Sequence, residues 1–280
     1  MIKEVLMDLL LLFKALVMGI VEGVTEFLPI SSTGHLIITG DILDFLQKEQ
    51  RDVFEIVIQL GAIVAVCWEY RYKLIHLLAG LGRDRHARRF ACNIIVAFIP
   101  AAVLGLLFGK NIKAYLFFPE PVAIAFIVGG LIIMWAERRK HSIQVHEMYD
   151  MSLKDALKVG LAQCFALIPG VSRSGSTIIG GLLSGLSRKA TTEFSFMLAI
   201  PTLTAAALYD LYRHREMLNA NMTGLVAVGF IMSFISALLA VRGLLRYISR
   251  HDFSAFAWYR IAFGAIVLVT AYWGVVNWSR

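Results

Sequence analysis

Apolar residues along this chain gather into long runs instead of alternating with polar ones. The runs at 53–68, 91–109, 121–136, 194–211, 223–241 and 255–278 approach or exceed the length a helix needs to cross a bilayer, at about 1.5 Å per residue against about 30 Å of hydrocarbon. They predict an all-α polytopic membrane protein with six transmembrane helices. Two further apolar regions, 5–45 and 156–186, are broken near their middles, by LPISSTGH at 28–35 and IPGVSRSGST at 168–177. Neither half of either region spans comfortably alone. Unpaired backbone cannot face lipid, so each region predicts a re-entrant helical hairpin whose break is buried in protein or lines a wet cavity.

Charge places the loops. Arg71, Lys73, Arg83, Arg85, Arg88 and Arg89 fall in 69–90, Arg138, Arg139, Lys140 and Lys154 in 137–155, and Arg242, Arg246 and Arg250 in 242–254. The intervening stretches are poorer, with Lys110 and Lys113 in 110–120 and Arg213 and Arg215 in 212–222. Read by the positive-inside rule, the three rich stretches are cytoplasmic, so the first hairpin starts and ends outside and the second inside. Pro29, Ser31 and Gly34 also match Pro169, Ser172 and Gly175 with one residue inserted, and in each half a hairpin precedes three spans. The expectation is one integral membrane domain over 1–280, made of halves at about 1–140 and 150–280 in an inverted-topology repeat, with a linker near 141–152 and a polar site near the midplane.

Composition agrees: 58% of residues are hydrophobic and 17% charged, which excludes an ordinary cytosolic enzyme. The net charge of +7 raises nucleic acid as a partner, but the basic clusters lie between apolar runs and are accounted for by orientation and anionic lipid, so no nucleic acid is expected. Glu4 and Asp8 sit in the first apolar stretch and no small-residue cleavage site follows it, so that stretch is read as part of the fold. Cys67, Cys92 and Cys164 form no CxxC or Cys/His pattern and are expected to be core-filling thiols.

Ionisable and hydroxyl residues in the broken regions carry the chemistry. Glu22 and Glu26 lie four apart on one helix face. Two acids in an apolar segment are costly unless they share a proton, hold a divalent cation, or face Arg173 of the other hairpin. PGVSRSGST brings Ser172, Arg173, Ser174, Ser176 and Thr177 to a glycine-containing helix start, a set suited to a phosphate or diphosphate, although a Ser/Gly turn also serves as a plain helix cap. LPISSTGH adds Ser31, Ser32, Thr33 and His35, which with the two acids are parts for hydrolysis; a histidine at a helix start is otherwise a hydrogen-bonding cap. The remaining histidines, among them His76, His86 and His141, fall in polar stretches and read as solvated. Arg260 in the last span either snorkels to the interface or supplies a second anion contact. The rival to a hydrolase is a transporter or flippase of an anionic or lipid-linked substrate, since broken helices in inverted repeats are also how secondary transporters are built.

GIVEGVTEFLPISSTGH at 19–35 and PGVSRSGST at 169–177 resemble the two signature motifs of the bacterial undecaprenyl-diphosphate phosphatase family, the bacitracin-resistance type. The resemblance continues through FEIVIQLGAIVAV at 54–66 and EFSFMLAIPT at 193–202. It implies hydrolysis of undecaprenyl diphosphate to undecaprenyl phosphate and inorganic phosphate, which recycles the lipid carrier of peptidoglycan synthesis and confers bacitracin resistance. It further implies catalytic roles for Glu22, Glu26, Ser32, His35 and Arg173, with the two glutamates linked to Mg2+ or Ca2+. Ser31, Thr33, Ser172, Arg173, Ser174 and Thr177 would cradle the diphosphate. The family fold is six spans with two opposed re-entrant hairpins, as a homodimer in the cytoplasmic (inner) membrane with its site open to the outer face. A separate class of lipid phosphatases places a histidine six residues after the arginine of its motif; Ile179 stands there in this chain.

Overall fold

The computed structural model describes residues 2–213 and 222–274. Arg215 and the end of the 255–278 run lie outside the described residues. In chain order the helices are α1 (Ile2–Phe27), α2 (Ser32–Ile42), α3 (Lys48–Glu69), α4 (Arg71–Gly80), α5 (Arg85–Leu116), α6 (Pro119–Glu137), α7 (Leu153–Gln163), α8 (Arg173–Leu183), α9 (Arg188–Arg213), α10 (Thr223–Ile248) and α11 (Ser254–Tyr272). Short 3-10 turns fill Met148–Asp150 and Cys164–Leu167, and among the described residues the only extended pairing is a single bridge between Val145 and Leu186.

Five helices, α5, α6, α9, α10 and α11, are long and apolar enough to cross a membrane, and a sixth span results if α3 and α4 count as one, bent by 74°. Their outer faces carry contiguous bare apolar side chains, as lipid-facing surfaces do: on α5, Ile95, Ile99, Val103, Leu106 and Leu107 are all exposed, the last two at 71% and 67%. The chain is a multi-pass membrane protein.

Three details differ from the sequence reading. The 69–90 stretch is mostly helical, because α3 turns at Tyr70 straight into α4 and α5 starts at Arg85. The first broken region is lopsided: α1 has 26 residues, about 39 Å, whereas α2, α7 and α8 have 11 each, about 16 Å. Its polar residues do not interrupt it, since glutamate and lysine are good helix formers. Of the cysteines only Cys67 packs against the core, half-buried; Cys164 is half-buried elsewhere and Cys92 is exposed.

Local chemistry fixes the helix ends nearest the breaks. α1 stops at Phe27 because the next residue, Leu28, precedes Pro29 and is biased away from helical backbone. α7 opens on a capping box between Ser152 and Asp155. α8 opens on Ser172, whose hydroxyl accepts from Gly175 N at 3.0 Å. Glycines then bring the helices together. Gly19 and Gly23 of α1 lie against the α10 backbone at Gly229 and Ser233, and Gly61 of α3 lies against the Phe230 carbonyl, so that an added Cβ at any of them would collide. Gly130 of α6 and Gly264 of α11 do the same for that pair. The two breaks meet inside this packing, where the Leu28 carbonyl accepts from Ser174 Oγ at 2.7 Å.

Candidate active site

Two helix N-termini face one cavity of about 250 Å3, α2 through Ser31, Ser32 and Thr33 and α8 through Ser172 and Arg173, with Glu26 of α1 completing the polar wall. The first amides of each helix have no partner within their own helix, so the cavity receives two positive dipole ends. Ser31 adopts φ 68, a left-handed conformation that a non-glycine residue rarely takes and that is found where the surroundings hold it in place.

Glu26 connects the two sides. Its Oε1 accepts from Arg173 Nη2 at 3.0 Å and its Oε2 from Ser32 Oγ at 2.6 Å. Arg173 also donates from Nη1 to the Ser195 carbonyl at 3.1 Å and lies over the Phe27 ring, while its buried Nε has no hydrogen-bond partner. A guanidinium N–H without a partner, beside two helix N-termini, is a donor for an oxyanion in the cavity.

The other expected residues stand behind this wall. Ser174 is fully buried, bonded to Leu28 and to Ser172 Oγ. Thr177 donates back to the Arg173 and Ser174 carbonyls and meets Ser195 Oγ at 2.6 Å. Both shape the α8 tip, behind the residues that line the cavity. His35 is also absent from the wall. Its Nδ1 lies 2.7 Å from the Ser31 carbonyl, which can only accept, so Nδ1 carries a proton; Nε2 lies 2.6 Å from the Tyr259 hydroxyl. The ring stacks on Phe263 with centroids 4.0 Å apart. Both nitrogens are thus engaged, Nδ1 on the Ser31 carbonyl and Nε2 on Tyr259, and His35 supplies no side-chain cap to the α2 amides.

Glu22 is 1% exposed and neither carboxylate oxygen has a hydrogen-bond partner. Arg260, also 1% exposed, neither snorkels nor lines the cavity; its guanidinium is spent on backbone carbonyls. The sequence reading missed Gln59, Gln163 and Thr202, which complete the polar lining. Gln163 had a signal: it follows Gly160 by three residues as Glu22 follows Gly19. Gln59 and Thr202 sit alone in apolar runs, where one polar residue points to no particular chemistry.

The family model described as bacitracin resistance protein BacA matches residues 15–266, a stretch that contains every residue named above around the cavity. The chain belongs to the BacA family. It is similar to the undecaprenyl-diphosphatase 2 of Rhodospirillum rubrum, 69% identical over 273 residues that cover 98% of this chain and 100% of the relative. The undecaprenyl-diphosphatase 1 of Chromobacterium violaceum is 66% identical over 96% of this chain and 100% of its own, and the undecaprenyl-diphosphatase of Nitrosospira multiformis 65% over 98% and 100%.

In this BacA-family chain no three His, Cys, Asp or Glu side chains converge among the described residues. The donor set nevertheless fits a hard cation. The buried Glu22 carboxylate, with both oxygens unpartnered, suits an ion that takes one or two protein carboxylates and completes its shell with phosphate oxygens and water; Glu26, one helical turn on, would join it by exchanging its bond to Ser32 or Arg173.

Proposed function

We propose that this protein is an integral membrane phosphatase that hydrolyses undecaprenyl diphosphate to undecaprenyl phosphate and inorganic phosphate, as the names of its relatives describe for them. By this activity it recycles the lipid carrier of wall synthesis and confers resistance to bacitracin. The observation that carries the reading is the chain Ser32 Oγ to Glu26 to Arg173, a hydroxyl and a guanidinium joined by one carboxylate at the mouth of two helix N-termini.

In this reading the diphosphate enters the cavity and its oxygens take up Arg173 Nε and the first amides of α2 and α8, with Ser31, Thr33 and Ser172 beside them. Glu26 accepts the Ser32 hydroxyl proton, a new O–P bond forms from Ser32 Oγ to the terminal phosphorus, and the bridging P–O bond breaks to release undecaprenyl phosphate. The Glu26 proton passes to the departing undecaprenyl phosphate; water then attacks the phosphoserine phosphorus as Glu26 takes its proton, and as the Ser32 O–P bond breaks Glu26 returns that proton to Ser32 Oγ, releasing inorganic phosphate. Glu22 and Glu26 would hold Mg2+ or Ca2+, which offsets the charge of the phosphate oxygens. Ala101, Ala166, Leu167, Leu203 and Ala206 form the apolar side of the cavity, where the first isoprene units leave for the lipid.

The same proposal includes the topology. The helix–break–helix segments α1–α2 and α7–α8 enter from opposite faces as re-entrant hairpins of an inverted repeat, in a cytoplasmic membrane and open outward. Support comes from the meeting of the breaks at Leu28 and from α2, α7 and α8 being about half a bilayer long.

The test is phosphate release from a long-chain polyprenyl diphosphate by detergent-purified protein, with and without chelator, alongside Glu26→Gln, Arg173→Ala and Ser32→Ala. Loss of about 100-fold or more in each variant, and loss on chelation restored by Mg2+ or Ca2+, is expected. A phosphoserine trapped by acid quench belongs to the covalent path; retained activity in Ser32→Ala would overturn it. Well-folded protein that binds the lipid and releases no phosphate would favour a transporter.

A further inference from the structure

Arg260 of α11 makes four hydrogen bonds, all to backbone carbonyls. Nη1 donates to the Pro29 carbonyl at 3.2 Å, Nη2 to those of Gly170 at 3.1 Å and Ala125 at 3.0 Å, and Nε to that of Phe126 at 3.3 Å. Pro29 and Gly170 lie in the two breaks. Ser31 and Ser32 follow the first by two and three residues, and Ser172 and Arg173 follow the second by the same offsets. Four side chains of the cavity wall therefore hang from the two carbonyls that one side chain grips. Its other two bonds anchor the grip to α6, where the absence of a side chain at Gly129 makes room for Nη2. A buried cation without a carboxylate at hydrogen-bonding distance is tolerated because carbonyl dipoles take up four of its five N–H donors.

We propose that Arg260 is a positioning residue: by holding Pro29 and Gly170 it sets the separation and facing of the α2 and α8 N-termini, and through them of Ser32 and Arg173. The proposal deepens the phosphatase reading and rests on it for its catalytic consequence. The planar guanidinium sends N–H groups in several fixed directions within one plane. A lysine ammonium gathers its donors on a single atom and cannot reach carbonyls on opposite edges.

The test uses the full chain with Cys67, Cys92 and Cys164 replaced by alanine and spin labels at Ile42 and Leu183, exposed positions at the far ends of α2 and α8. Pulsed electron resonance reads the distance between labels; kcat and KM are measured per folded molecule on the unlabelled protein. In Arg260→Lys and Arg260→Met the distance distribution shifts or broadens and kcat falls about 100-fold, with the smaller effect on KM, because misplacing reacting groups by about 1 Å costs on that order. Gly129→Ala keeps the arginine, pushes its fork, and moves both readouts in the same direction.

Wild-type distance and kcat in the lysine variant overturn the proposal. So does a lowered kcat with an unchanged distance, which would give Arg260 a chemical role instead. If neither Arg260 variant folds, Gly129→Ala alone decides, and wild-type values there overturn it. The distance needs no turnover, so failure of the unsubstituted protein to hydrolyse the lipid would strike the phosphatase reading and leave the positioning claim measurable.

Discussion

Glu26 is divided between a cation and a hydroxyl, and that division sets what each neighbour is free to do. Arg173 keeps its Nε–H unspent, Ser32 has its proton directed at a base, and Glu22 is left without a hydrogen-bond partner. His35 is the opposite case, because nothing on its ring is left over. Tyr259→Phe removes the donor to Nε2 and is expected to destabilise the protein by about 1 kcal/mol. The pH profile of hydrolysis should keep its shape in Tyr259→Phe and in His35→Asn. A thermal melt checks the first statement and a pH–rate series the second; disappearance of one limb of the profile in His35→Asn would return the histidine to proton transfer.

The breaks are built by a few residues whose backbone preferences are unusual. Gly170 has φ 87, and a Cβ there would also stand 2.5 Å from the Val122 carbonyl. For an alanine, the left-handed conformation alone costs about 1–2 kcal/mol. Gly170→Ala is thus expected to lower the melting temperature and, by displacing the carbonyl that Arg260 holds, to reduce hydrolysis further than its stability loss explains. Gly224→Ala is the control: it sits in the first turn of α10 with nothing within 4 Å of an added Cβ, and helix propensity gains up to about 1 kcal/mol from the change. Equal melting temperatures for the two variants would contradict the account of the break.

At the scale of the molecule, glycine-mediated packing leaves two short helix starts facing one another across the interior while apolar side chains cover the outside. The proposed topology makes a definite labelling pattern. In a cysteine-free background, Gln47→Cys and Lys110→Cys should react with a membrane-impermeant maleimide on intact cells, and Lys140→Cys and Arg250→Cys only after permeabilisation. Labelling of all four from one side would remove the opposed arrangement of the hairpins and the outward-facing cavity with it.

Much of this was legible along the chain because it is local. A run of apolar residues makes a membrane helix, Leu28–Pro29 and Pro169–Gly170 end helices by their own backbone preferences, and Glu22, Glu26 and Arg173 are too costly in apolar surroundings to lack a purpose. The tertiary structure alone decided which hydroxyls face the cavity: Ser32 and Ser172 line it, whereas Ser174 and Thr177 turn into the packing. It also turned His35 toward Tyr259, brought in Gln59, Gln163 and Thr202, and made Arg260 the grip on both breaks. The physical reason is that a side chain's direction on one helix follows from its period, but its partner depends on which distant helix packs against that face. That packing is set by contacts between residues up to 231 positions apart, which no local pattern contains.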